Sequence, residues 1–197
     1  MKIIGITGPS GSGKSLLGKY LTSLGIPSID ADEVYHSMLI PPSPCLDALR
    51  SVFGDHIFNS DGTLDRSALA KIVFGDPKKL ELLNATVLDK VLDKIRSMIG
   101  ELEASGFDNV LVDGPTLIES GFYRECTTVI SVLSDKDTRV ARIMERDGIS
   151  SEKAIERINA QKSDSFYIEH SHFVIYNNGS SEKFIEESKS LLKGLIL

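Results

Sequence analysis

The chain has 197 residues, with 22 Lys plus Arg against 28 Asp plus Glu and a formal net charge of −6. At 41% hydrophobic and 25% charged it carries ordinary core material for one domain, which excludes a disordered chain, and its acidic balance excludes non-specific polyanion binding as its main task. Two cysteines far apart, Cys45 and Cys126, form neither a disulfide framework nor a metal motif, and no apolar run reaches the roughly 18 residues of a membrane span, so a cytoplasmic protein without nucleic-acid or membrane partners is expected.

Short apolar runs alternate with longer amphipathic stretches, the pattern of an α/β fold. Strands are expected at 2–7, 27–30, 109–113, 128–132 and 172–176, and helices at 14–24, 33–39, 46–53, 66–74, 78–105, 136–147, 151–162 and 181–195. The opening strand runs into a motif by Gly8, so no cleaved leader is expected. The segment from about Glu33 to Ser105 reads as almost wholly helical, inserted between the second and third strands; in it Leu80, Leu83, Val87, Val91, Ile95 and Met98 make one apolar face. Pro41-Pro42-Ser43-Pro44 reads as a stiff turn and Asn59-Ser60-Asp61-Gly62 as a tight turn between helical pieces. Nothing marks an oligomeric interface, although Leu191-Leu192 and 195–197 give the tail an apolar end.

Gly8 to Ser15, GPSGSGKS, fits G-x-x-x-x-G-K-[ST] between an apolar strand and a helix. The glycines let successive backbone N–H groups curl around phosphate oxygens, and the helix adds its positive dipole end. Lys14 supplies a cation to the β- and γ-phosphates, and the Ser15 hydroxyl can ligate Mg²⁺. Gly11, Ser12, Gly13 and Leu16 complete the expected ATP-binding run.

Three further features suit phosphoryl transfer to a small acceptor. Asp30 and Asp32 stand at the end of the second strand, where a carboxylate can take the acceptor's proton and organise Mg²⁺; both would point the same way if the strand continues through them. The alternative is an acidic turn that caps the next helix. Asp113 ends the third strand in a Walker-B pattern, holding Mg²⁺ through water, or is a simple strand-end turn. Arg139, Arg142 and Arg146 share a helical face, with Arg157 on the next helix, which reads as a lid over the triphosphate or as a solvated face paired with Asp135, Asp137 and Glu145. A switch-type GTPase is disfavoured, since no [NT]-K-x-D follows the fourth strand.

An ordered set of segments resembles the dephospho-coenzyme A kinase family over nearly the whole chain. It comprises the Gly8–Ser15 loop, Ile29-Asp30-Ala31-Asp32, Phe53-Gly54, Asp61-Gly62-Thr63-Leu64-Asp65-Arg66, Val73-Phe74 and Pro115 with Leu117-Ile118-Glu119. Arg142, Arg146-Asp147, Arg157, Gln161 and Asn177 complete it. The resemblance implies a three-layer P-loop core with a five-stranded parallel sheet, a helical CoA-side insertion and a helical lid. It divides the chain into a core at 1–32 and 106–197, an insertion at about 33–105 and a lid at about 139–163. The implied activity is ATP- and Mg²⁺-dependent phosphorylation of the ribose 3′-hydroxyl of dephospho-CoA. Asp32, Lys14 and Arg142 would be catalytic, with Asp32 also touching acceptor and, through water, metal. Arg142 would lie on the ATP phosphates and the Asn177 loop near adenine, while Asp65, Arg66 and Pro115 would face the acceptor. This chain departs from the family where His36 replaces an arginine, where a His-Pro pair is missing between Asn84 and Leu88, where Arg139 replaces a glutamine, and at Ser171-His172. A kinase for a nucleoside or nucleotide, and a non-catalytic nucleotide-binding module, are the alternatives.

Overall fold

The computed structural model describes residues 1–73 and 75–193. The far ends of two expected helices, Phe74 and 194–195, and the rest of the apolar tail, 196–197, lie outside the described residues. In chain order the elements are β1 (Lys2–Thr7), α1 (Lys14–Ser23), β2 (Ser28–Asp30), α2 (Ala31–Ser37), α3 (Pro44–Phe53), α4 (Arg66–Val73), α5 (Pro77–Ala104), β3 (Asn109–Asp113), β4 (Thr128–Leu133), α6 (Lys136–Asp147), α7 (Ser151–Asn159), α8 (Asp164–Glu169), β5 (Phe173–Tyr176) and α9 (Ser181–Leu192).

The strands form one five-stranded sheet in the order β2-β3-β1-β4-β5, with parallel pairing along β3, β1, β4 and β5. β1 is therefore central, and its carboxyl end opens where the connections leave toward both edges, the place where open α/β sheets bind ligands. The chain falls into two compact units, residues 1–28 with 105–197, and 29–104, the division running through β2.

In the first unit one sheet face packs Ile4, Ile6, Leu111, Ile130, Val132 and Ile175 against Leu17 and Leu21 of α1 and Phe184 and Leu192 of α9. Leu192 is thus buried, while Leu191 stays exposed. On the other face Leu133 packs with Ile118 and Tyr167. Gly5 leaves room in β1 for its neighbours: a Cβ there would stand 2.6 Å from Leu117 Cδ2 and 2.9 Å from Cys126 Sγ, so those side chains would have to shift. The strand therefore accepts the Leu117–Cys126 segment in direct contact with its backbone. The helix expected at 151–162 is α7, which ends three residues early at Asn159, and α8 at Asp164–Glu169 is a further helix that was not expected. Six residues are too few to display a helical period, so α8 had no signature to read.

In the second unit α5 packs against α2, α3 and α4. Its apolar face is graded: Val91 and Ile95 are buried, whereas Leu80 is exposed. The Asn59–Gly62 turn lies between helical pieces as expected, and it is closed by a small antiparallel bridge, Phe58 to Leu64, with Asn59 N–H donating to Thr63 O. Pro44 opens α3 behind a Ser43 cap, so the proline-rich turn ends one residue earlier than its composition suggests.

Cys45 and Cys126 are separate buried thiols. Burial pushes the Cys126 thiol up to about 12 and, helped by the charge of Glu119, the Tyr167 phenol up to about 12. Unfolding returns them to about 9 and 10. The unfolded chain thus loses these protons first, so their contribution to stability is complete below pH 9 and disappears as pH rises toward 12. Denaturant melts between pH 8 and 10.5 should show an alkaline decline approaching ~1.4 kcal/mol per pH unit for each group in its window. Cys126→Ala should remove the part that begins near 9; a slope unchanged by that substitution would exclude the thiol as its source.

Candidate active site

The phosphate loop leaves β1 at Gly8 and enters α1 at Lys14. Gly13 sits at φ 99° and ψ 22°, and α1 starts there with no side-chain cap and no acidic residue in its first turn. The first N–H groups of a ten-residue helix are therefore offered to an external anion. Lys14 folds back over the loop, its Nζ donating to Gly8 O at 3.0 Å. Ser15 exposes its side chain in the same turn, and Leu16 is half-buried against the core behind it.

What shapes the loop is the row of side chains behind it. Arg142 of α6 places Nη1 3.3 Å from Gly11 O and 3.4 Å from Ser12 O, and at 3.0 Å from both Ser134 Oγ and Asn177 O. Its Nη2 donates to Asn177 Oδ1 at 3.2 Å. Asn177, 3% exposed, donates from Nδ2 to Ser12 O at 2.9 Å. The Ser134 hydroxyl lies 2.6 Å from Asn177 O and 3.1 Å from Ser12 O. Because C=O and N–H point opposite ways across a trans peptide, holding Ser12 O on this side sends the Gly13 N–H to the other, toward the anion.

Two arginines of this face, Arg139 and Arg142, are therefore turned to the loop, while Arg146 is exposed. Arg139 is 5% exposed and bonds Ser10 O and Gln161, and none of the three α6 arginines pairs with Asp135, Asp137 or Glu145 among the described residues. Arg146 donates to Ser10 Oγ at 3.3 Å and, with Arg157, grips Asp147. The hydrogen bond from Arg146, with that from Arg157 beside it, pulls the Asp147 carboxyl down to about 2. α6 and α7 form a hairpin closed by Ile143, Ala154 and Ile158.

Other expected site residues fall as follows. Asp113 ends β3, with its Oδ2 3.6 Å from where a Cβ on Gly18 would stand, so its carboxylate lies against α1 one turn beyond Lys14. Pro115 O accepts from Thr7 Oγ1 at 3.4 Å. Asp32, Asp65 and Arg66 belong to the second unit. The strand does not continue through Asp32. It ends at Asp30, whose Oδ1 caps α2 by accepting from Asp32 N at 2.8 Å and Glu33 N at 3.1 Å, leaving Asp32 exposed in the first helical turn. Two apolar-free residues followed by a helix-forming run favour the cap over a longer strand. Asp65 likewise caps α4 through Ser67 N and Ala68 N, with Arg66 exposed beside it. Ser134 had no signature in the sequence, and Gln161 stood out only through the resemblance.

The sequence model of the dephospho-CoA kinase family matches residues 2–183. The chain belongs to that family. Among its relatives, the dephospho-CoA kinase of Shouchella clausii is 37% identical, covering 91% of each chain, and that of Carboxydothermus hydrogenoformans is 36% identical, covering 98% of this chain and 94% of its own. The solved dephospho-CoA kinase of Campylobacter jejuni superposes with a TM-score of 0.70 at 27% identity, covering 99% of this chain and 98% of that one. A solved Thermus thermophilus protein superposes at 0.77 with 32% identity, covering 98% and 97%. A shikimate kinase from Acinetobacter baumannii, 16% identical at a TM-score of 0.51, shares the fold alone. The P-loop kinase architecture and the loop geometry thus coincide in one chain.

A Cβ on Gly13 would stand 2.0 Å from Asn177 Nδ2, at a φ that L side chains rarely adopt. Gly13→Ala should therefore weaken ATP binding about 100-fold or more, combining backbone strain with loss of the Asn177 bonds. Titration calorimetry measures the binding, and circular dichroism should show the helices retained.

Proposed function

We propose that this chain transfers the γ-phosphoryl of ATP to the 3′-hydroxyl of dephospho-CoA, giving CoA, in the cytoplasm. The observation that carries the reading is the complete phosphate loop, with its uncapped α1 terminus and its arginine backing, in a chain of the dephospho-CoA kinase family.

The chemistry assigns each residue a task. The Gly11–Ser15 backbone and Lys14 bind the polyphosphate and fix it for in-line attack. Arg142 and Asn177 act through the loop by holding Ser12 O, and Arg142 adds positive charge beside the phosphates. Asp32 takes the proton of the acceptor hydroxyl as the new P–O bond forms and the bond from the γ-phosphorus to the leaving ADP breaks. Asp65, Arg66 and Pro115 serve the acceptor, whose diphosphate and adenosine suit an insertion bearing scattered cations.

Mg²⁺ suits the donor set. Ser15 is exposed and the half-buried Asp113 places its carboxylate against α1 near Gly18, while no cluster of three His, Cys, Asp or Glu that could hold a metal occurs among the described residues. Few protein ligands completed by water and phosphate is the coordination Mg²⁺ prefers. Ser15 directly and Asp113 through water would hold it, and bound there it would neutralise charge on the β- and γ-phosphates.

A coupled ATP-turnover assay with Mg²⁺ should show selective turnover of dephospho-CoA over adenosine, AMP and common nucleosides, with a 3′-phosphorylated product by mass. Turnover of another acceptor would reassign the substrate, and ATP binding without transfer would make the chain a nucleotide-binding module. Asp32→Asn should lower kcat by about 100-fold or more while leaving ATP affinity within about twofold. An unchanged kcat would remove Asp32 from proton transfer.

A further inference from the structure

Ser10 lies in the part of the loop that the G-x-x-x-x-G-K-[ST] pattern leaves unspecified, yet every polar atom it owns is held. Its N–H donates to Gln161 Oε1 at 3.2 Å, its carbonyl accepts from Arg139 Nε at 3.0 Å, and its hydroxyl accepts from Arg146 Nη2 at 3.3 Å. Arg139 closes the circle by donating from Nη2 to the same Gln161 Oε1 at 2.6 Å. Gln161 follows α7 by two residues and Arg139 lies on α6, so both arms of the hairpin converge on one loop residue.

Arg139 is an unusual choice for this place. It is 5% exposed, and among the described residues it forms no salt bridge. Asp164 and Tyr167 are near enough to favour its charge, against the desolvation that opposes it. A guanidinium retains its proton in proteins, so a buried cation faces the carbonyl side of the loop. The loop backbone also packs directly on it: a Cβ on Gly11 would stand 2.9 Å from Arg139 O. With Ser10 O fixed toward α6, the trans Ser10–Gly11 peptide directs the Gly11 N–H away from α6, to the side where the Gly13 N–H points.

We propose that Arg139 is a positioning residue for phosphate binding, which with Gln161 locks the Ser10–Gly11 peptide so that its N–H faces the polyphosphate, and which supplies buried positive charge from behind the loop. The inference rests on the loop being the ATP site. It separates from the acceptor question because binding of nucleotide alone tests it.

The experiment compares Kd for ATP, ADP and adenosine in wild type, Arg139→Ala, Arg139→Gln, Arg139→Lys and Gln161→Ala, with thermal melts alongside. Arg139→Ala should weaken ATP by about tenfold or more and adenosine by less than about twofold, with ADP between, because the effect scales with phosphates held. Arg139→Lys should recover part of the ATP affinity by restoring charge without the two-pronged fork, and Arg139→Gln less. Gln161→Ala, which leaves the cation in place, should weaken ATP by about threefold. Equal losses for ATP and adenosine, or ATP binding within about twofold of wild type in folded Arg139→Ala, would overturn the proposal. Should Arg139→Ala not fold, unchanged ATP affinity in both Arg139→Lys and Gln161→Ala would overturn it instead. Failure of the wild type itself to bind ATP would refute the reading of the loop, a distinct result.

Discussion

The site depends on where the phosphate loop puts its carbonyl groups. A loop that gathers N–H donors around an anion must turn its peptide oxygens outward, and buried oxygens without donors would be costly. Here the outward side is covered by α6. Arg139 meets Ser10 O, and Arg142 meets Gly11 O and Ser12 O, joined there by Asn177 and Ser134. Each bond satisfies an acceptor and orients a donor on the opposite side of the same peptide. Neither Arg139 nor Arg142 forms a salt bridge among the described residues, and Asp164 lies near enough to favour the charge of Arg139 against the desolvation that opposes it.

This arrangement changes the meaning of the lid arginines. As a pattern along one helix they suggest groups that reach across a bound nucleotide. In the folded chain Arg139 and Arg142 are part of the wall that holds the loop, and only Arg146 and Arg157, gathered on Asp147 at the hairpin turn, remain on the exposed side. Three arginines at i, i+3 and i+7 thus divide between framework and surface, according to depth rather than sequence.

The strands and most helices were legible because their signals are local: β1 and β4 are apolar runs, and the phosphate loop has fixed glycines. Of the loop's supports, Gln161 and Asn177 stood out only through the resemblance and Ser134 not at all, because the three come from separate connections and have no common spacing. Asp30 and Asp65 show a different limit. An aspartate before a helix serves as a cap and as a ligand-facing carboxylate with the same residue type, and only the hydrogen bonds to Asp32 N, Ser67 N and Ala68 N assign the capping. α7 ends just before Gln161, whose Oε1 accepts from Ser10 N, a partner some 150 positions away in sequence.

The bond from Asn177 to Ser12 also bears on the order in which the molecule is made. Ser12 is made well before Asn177, and between them come the whole helical insertion, four strands and the α6–α7 hairpin. Domains generally fold as they emerge, but this loop cannot reach its final shape on the nascent chain until the far end of the sheet has left the exit tunnel. A fragment that stops short of β5 therefore holds the full motif without the Asn177 bond that helps to set it.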